Sequence, residues 1–139
     1  MEDIDFSVDG VYECLDFFKS YQDKVNDAVL HGVQVVASAL RDSITKFAKA
    51  GHPDNPNVIS GRLSNSIAYT AEPISDGVAE GVVGPDGVEY APFVEYGHAN
   101  RNGYTRPYPY VRPGQLEILD SGQGQTLFEN TVNSDMEGV

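Results

Sequence analysis

VNDAVLHGVQVVASALRDSITKF, Val25 to Phe47, decides the fold. Val25, Val29, Val33, Val36, Leu40, Ile44 and Phe47 recur at steps of four, four, three, four, four and three. At ~100° per residue they fall in one stripe about 100° wide. Lys24, Asp27, His31, Gln34, Arg41, Asp42 and Lys49 take the opposite side. The pattern predicts an amphipathic helix from about Tyr21 to Ala50, stopped by Gly51 and Pro53. At ~1.5 Å per residue that is a rod of about 45 Å. One apolar stripe does not offset the entropy of ordering so much chain, so the rod needs a partner surface.

Upstream, Ile4, Phe6 and Val8 alternate with Asp3, Asp5 and Ser7, the period-two pattern of a strand. Asp9 offers an N-cap to a short separate helix, VYECLDFF, with Val11, Leu15 and Phe18 on one face. Downstream, HPDNPN (52–57) is a loop by composition. Ile67, Tyr69 and Ala71 alternate with Ser66, Ala68 and Thr70 as a strand, EPISDG (72–77) reads as a turn, and Val78 to Val83 as a second strand. Pro85-Asp86-Gly87 is a tight-turn signal that leads into a third short strand, Val88 to Tyr90.

In YAPFVEYGH (90–98), Pro92 suits the first turn of a short helix and Gly97 its end, with Phe93 and Val94 as packing residues. In RPYPYVRPG (106–114), Arg106, Tyr108 and Arg112 each precede a proline, which pushes them out of helical geometry, so an extended arm is expected at about 98–114. A weak final helix over 115–132 is interrupted by Gly122 and Gly124, and NSDMEGV reads as a frayed acidic tail. The expected fold class is α+β: a long amphipathic helix on a small antiparallel sheet, with a Pro-rich arm and a weak C-terminal helix. Residues 1–118 read as one domain, and 119–139 as a partly flexible helix and tail.

A net charge of −12 on 139 residues argues against DNA binding through a broad basic face. Hydrophobic residues at 40% argue against wholesale disorder. A single cysteine, Cys14, rules out an intrachain disulfide. MEDIDF is acidic where a secretion signal would be basic, which leads to the expectation of a protein made in the cytoplasm.

No pattern in the chain assembles a catalytic or metal constellation. His31, His52 and His98 fall on a polar helix face, in a loop and after Gly97, and no nucleophile–base pairing accompanies them. HExxH, paired CxxC and calcium-loop spacings are absent from the sequence, and Gly81, Gly84 and Gly87 lack the Lys-Ser/Thr of a phosphate loop. Glu95 is a candidate general base, but the expected reading is a surface or interface carboxylate ending a short helix. Catalysis, cofactor and metal are not expected.

The charge map carries more. Tyr96 to Leu116 holds Arg101, Arg106 and Arg112 and no acid, while the rest of the chain has six bases against 21 acids. A stiff segment rich in Arg and Tyr suits a contact hot spot. Arg101, Arg106, Tyr108, Tyr110 and Arg112 are therefore candidate subunit-interface residues, lying on the acidic flank of an identical neighbour. The alternative is an arm folded back on its own domain. A contact between two different patches repeats into a closed ring or an open filament.

Three stretches in order also resemble a known family: SGRLSNSI (60–67), YAPFVEYGH and RPYPYVRPG. They are similar to the head–tail connector, or tail-completion, proteins of long-tailed bacteriophages. Ser60, Gly61, Leu63, Ser66 and Ile67 match the first family element. Tyr90, Ala91, Val94, Glu95, Tyr96 and Gly97 match the second, and Pro109, Arg112 and Pro113 the third. His98 stands where a Thr is common, and the final helix is usually better formed. The resemblance, over about residues 4 to 118, implies a structural virion protein of the neck, not an enzyme. It would form a ring, six- or twelvefold, between head-side connector and tail-terminator or tail-tube proteins, and DNA would pass without specific binding or membrane contact. A tail-terminator ring and a monomeric protein-binding module are the competing expectations.

Overall fold

The computed structural model describes residues 10–50, 62–101, 103–105, 107 and 109–138. The expected strand at Ile4–Val8, the Asp9 cap, the 52–57 loop, Ser60, Gly61, Arg106 and Tyr108 lie outside the described residues. The described chain is α+β, a long helix on a small antiparallel sheet.

Helix α1 runs unbroken over Val11–Ala50, 40 residues, about 60 Å at ~1.5 Å each. The expected separate short helix, 11–18, is its first two turns. Lys19-Ser20-Tyr21-Gln22 contains neither Pro nor Gly, and nothing there costs enough to stop a helix. Strands β1 (Ile67–Ser75) and β2 (Val78–Pro85) form an antiparallel hairpin, in register from Ile67 opposite Pro85 to Ser75 opposite Val78, with an irregularity at Pro73–Ser75. The expected turn at 72–77 thus shrinks to Asp76-Gly77. Ile67, Tyr69 and Ala71 are buried or half-buried, while Ala68, Thr70 and Glu72 between them are exposed, the alternation read from sequence.

The hairpin lies along α1. Ile67 joins Ile44 in the core at one end. At the other, Asn26 donates to Asp76 Oδ1 (3.0 Å) and accepts from the Gly77 amide (2.8 Å). The lengths agree: nine strand residues at ~3.3 Å span about 30 Å, and Asn26 to Ile44 spans about 27 Å of helix. The second flank of α1 receives α5 (Gln123–Met136), whose Phe128 and Val132 meet Gly32, and Asp135 accepts or shares a hydrogen bond with His31 at 2.7 Å. This divided covering explains the stripe: Ile44 is fully buried, whereas Val25, Val29, Val33, Val36, Leu40 and Phe47 are half-buried, at the borders between two partners. The buried positions elsewhere on α1 are all small, Ala28, Gly32, Ala37, Ser43 and Ala48, where neighbours approach closely.

The remaining elements gather at the C-terminal end of α1. α2 (Arg62–Ser66) leads into β1. After β2 the expected third strand is a turn instead: Asp86-Gly87 swings the chain off the sheet, Val88 is buried, and the Ala91 amide bonds the Val88 carbonyl at 3.3 Å. α3 (Ala91–Tyr96) follows, then a small hairpin of β3 (His98–Asn100) and β4 (Gly103–Thr105) within the expected extended arm. α4 (Val111–Gln115) continues as a π-helical stretch, Leu116–Asp120. Gly122, at φ 86, breaks the final helix as its sequence suggests, but Gly124 lies within α5 and is buried, and α5 runs on to Met136 through the expected tail. The main core is Ile44, Ala48, Ile67 and Tyr110, ringed by Leu40, Phe47, Leu63, Val83, Val94 and Val111.

Gly114 touches the backbone of α1. A methyl there would stand 2.6 Å from Ile44 Cγ1 and 3.1 Å from the Ile44 nitrogen. Helix propensity favours Gly→Ala by about 1 kcal/mol; overpacking against backbone costs about 1–3 kcal/mol. Gly114→Ala should therefore destabilise the fold by up to about 2 kcal/mol in urea denaturation, while Gly84→Ala, with open space beside it, should stay near neutral.

Candidate functional site

The resemblance motifs meet at one place. On α3, Ala91 and Glu95 stand one turn apart and face inward, 2% and 8% exposed. The Glu95 carboxylate reaches the start of α4: Oε2 accepts from the amides of Tyr110 (2.8 Å) and Val111 (3.0 Å), and Oε1 from that of Arg112 (3.1 Å). A helix begins with four amides that lack intrahelical partners. Here three are bound by Glu95, and the fourth position is Pro113, which has no N–H. Tyr110, the N-cap residue, offers no side-chain cap. Its hydroxyl instead donates to the Ala91 carbonyl at 3.3 Å. α3 and α4 are thus joined by four hydrogen bonds around one buried carboxylate.

Several expectations are corrected by this geometry. Glu95 is a buried cap, not a surface or interface carboxylate. Both its oxygens already accept amide hydrogens, which also leaves it ill-suited to act as a general base. Tyr110 is not an interface residue: at 2% exposure it is core. Arg112 is helical, because a proline at the third helical position needs no amide partner, and its side chain remains exposed. Phe93 is 52% exposed and is not a packing residue of the core, whereas Val94 packs there. Arg101 is exposed. Leu63 and Ile67 border or enter the core, Ser66 donates to the Leu63 carbonyl at 2.6 Å, and Pro113 is half-buried. Tyr90 and Tyr96 are 37% and 76% exposed, with the Arg62 guanidinium 5.7 Å from the Tyr90 ring.

Sequence reasoning missed the cap. The available signal was the i, i+4 pairing of Glu95 with small, buried Ala91, together with a proline three residues into the next helix. It also missed the exposure of the first three turns of α1, where Tyr12 reaches 82%.

Among the described residues, no group of three or more His, Cys, Asp or Glu is placed to hold a metal ion, and no helix is long and apolar enough to cross a membrane. A shallow open groove is lined by Asp42, Thr45, Lys46 and Lys49, and Lys46 is bound by Glu117 at 2.7 Å. Arg41 lies 5.0 Å from the Tyr69 ring centre and 3.1 Å from Asp42. These contacts are half-exposed, and each contributes little. Comparison with protein-family models, curated proteins and solved structures found no match.

Two predictions test the cap. Glu95→Ala leaves one buried and two part-buried amides without their acceptor, and at about 1–3 kcal/mol for an unsatisfied buried group, less where water can reach, it should lower stability by about 2–4 kcal/mol. Glu95→Gln should cost less, since one amide-accepting oxygen remains. Urea denaturation of both variants checks the order.

The second concerns pH. Burial, aided by the charge of Glu95 and by neighbouring Tyr96 and Tyr90, pushes the Tyr110 hydroxyl up from 10.0 to about 12. A raised pKa gives stability that is complete below pH 10 and lost as the pH climbs toward 12, about 2–3 kcal/mol in all. Tyr110→Phe forgoes the Ala91 hydrogen bond, about 0.5–1.5 kcal/mol, but escapes the alkaline loss. The variant should be the less stable protein at pH 8 and the more stable one at pH 12.

Proposed function

We propose that this chain is a structural subunit of the neck of a long-tailed bacteriophage, forming a ring that joins the DNA-filled head to the tail and lets DNA pass. The observation that carries the reading is where the resemblance residues stand. Leu63, Ile67, Ala91, Val94 and Glu95 hold α2, α3 and α4 together at the C-terminal end of α1. A motif of this kind holds a shape, as a virion part requires, and its one buried carboxylate binds backbone amides rather than a substrate.

The charge supports the same reading. Arg101 and Arg112 project from one end of an acidic chain, so copies of the chain carry complementary patches. A ring of six or twelve such subunits with carboxylates toward its lumen would repel DNA phosphates and keep the duplex from sticking.

The test is a phage from which the gene is deleted. The expected outcome is DNA-filled heads and free tails that join when purified protein is added. Tails of uneven length would favour the terminator ring, and intact infectious particles would overturn both.

A further inference from the structure

The two flanks of α1 that α5 and the β1–β2 hairpin cover do not end where their partners end. The hairpin stops at Asn26, and α5 reaches His31 with Asp135. Beyond them every residue from Val11 to Tyr21 is exposed, a stalk of about 16 Å at ~1.5 Å per residue. At ~100° per residue, Val11 and Leu15 continue the hairpin flank, while Phe17, Phe18 and Tyr21 continue the α5 flank. These five side chains and Tyr12 are 42–82% exposed. The aromatic rings pack on one another, Phe17 edge-on to Phe18 at 5.8 Å and stacked with Tyr21 at 6.3 Å. Together with Ile74 and Val78 at the hairpin tip, 58% and 49% exposed, they approach the ~800 Å² per partner of a stable protein interface. Of these, Phe17, Phe18 and Tyr21 form one joined aromatic cluster, and exposed apolar clusters mark interaction sites.

The same chain carries a counterpart at its other end. Tyr96 and Tyr104, 76% and 62% exposed, stand with exposed Arg101 and Arg112 beside the α3–α4 junction. That junction rests on Ile44, about 39 Å along α1 from Phe18. Glu13, Asp16 and Asp23 flank the stalk, with Lys19 the sole base between Val11 and Asp23. In a chain of net charge −12, the stretch from Tyr96 to Leu116 is the region that attracts a second copy.

We infer that the exposed stalk of α1, Val11–Tyr21, is the docking surface for the Arg101–Tyr104 end of a second copy of this chain. The inference rests on the ring reading above and names the surface that the ring uses. Stalk and arm are different patches at opposite ends of one rod, so the joint is head-to-tail and leaves a free stalk and a free arm on every dimer. Apolar contacts fill its centre and arginine–carboxylate pairs its rim.

Two variants separate the halves of the joint. Leu15→Glu with Phe18→Glu spoils the stalk, and Arg101→Glu with Tyr96→Ala spoils the arm. All four side chains are exposed, and circular dichroism checks that both variants keep their helix. Native mass spectrometry is run on wild type, each variant and a one-to-one mixture, from micromolar to near-millimolar protein. The wild type should form multimers and each variant alone a monomer. The mixture should form a dimer and nothing larger, because one intact stalk meets one intact arm and no free pair remains. Assembly by the stalk variant overturns the inference, and so does an arm variant that still dimerises, which would mean stalk against stalk. A wild-type monomer at every concentration overturns it too, yet leaves the neck reading standing, since a neck subunit can assemble on a neighbouring ring. If that monomer's Cys14 reacts slowly with maleimide until residues 1–9 are removed, the chain's own first nine residues are the occupant. A confirmed joint in a protein missing from phage particles would sink the neck reading alone.

Discussion

Three amides at the start of α4 have one acceptor, and that acceptor is buried. A carboxylate at 8% exposure is costly unless its lone pairs are filled, and helix-opening amides buried or part-buried beside it are costly unless they find an acceptor. Glu95 and residues 110–112 therefore need each other, and neither is stable in place alone. The rest of this end of the molecule follows from that mutual need. Fixing α4 sets Gly114 against Ile44, places the Tyr110 ring in the core and brings its hydroxyl to Ala91. Pro113 fits because the one amide it removes is the one Glu95 does not serve.

A second constraint is length. A nine-residue hairpin strand and a 14-residue helix, about 30 Å and about 21 Å long, are laid along a 40-residue helix of about 60 Å. Two short partners fixed to one end of a long rod leave the other end bare. The sequence does not adjust for this by turning polar: Leu15, Phe18 and Tyr21 keep the apolar phase of the buried part. An isolated surface leucine needs no explanation, but an apolar stripe held in phase past the edge of its own domain does.

Periodicity made the long helix and the β1–β2 hairpin legible, since Val25 to Phe47 and Ile67 to Ala71 each repeat with one clear period. What it could not give was the number of partners α1 has. A stripe about 100° wide fits one sheet or a sheet and a helix equally well, so Gly32 carried no signal and Gly124 read only as a helix breaker, although α5 comes close at both. The third strand at Val88 was misread for a similar reason. Three residues with two apolar members fit a strand or a turn, and the direction taken after Asp86-Gly87 depends on what lies beside it. Glu95 was illegible as a cap because its amides come from 15 to 17 residues away, across a stretch whose prolines suggest extension. Local rules see Arg112 before a proline; only the tertiary contact shows that a helix starts there and its first amides are already satisfied.

The division between inside and outside bears on assembly. The residues that tie α2, α3 and α4 to α1 are enclosed within one subunit, while the stalk and the arginine-bearing end stay exposed among the described residues. Between copies that are acidic almost everywhere else, like-charge repulsion disfavours every pairing in which acidic faces meet. In the proposed joint, the arginines would add register and encounter rate more than affinity, and the aromatic stalk would supply the buried area. Repulsion over most of the surface and attraction at one pair of unlike patches is a combination that specifies a head-to-tail order. For the proposed joint, the long helix between the patches would fix the angle at which each copy meets the next, and that angle would determine whether the series closes.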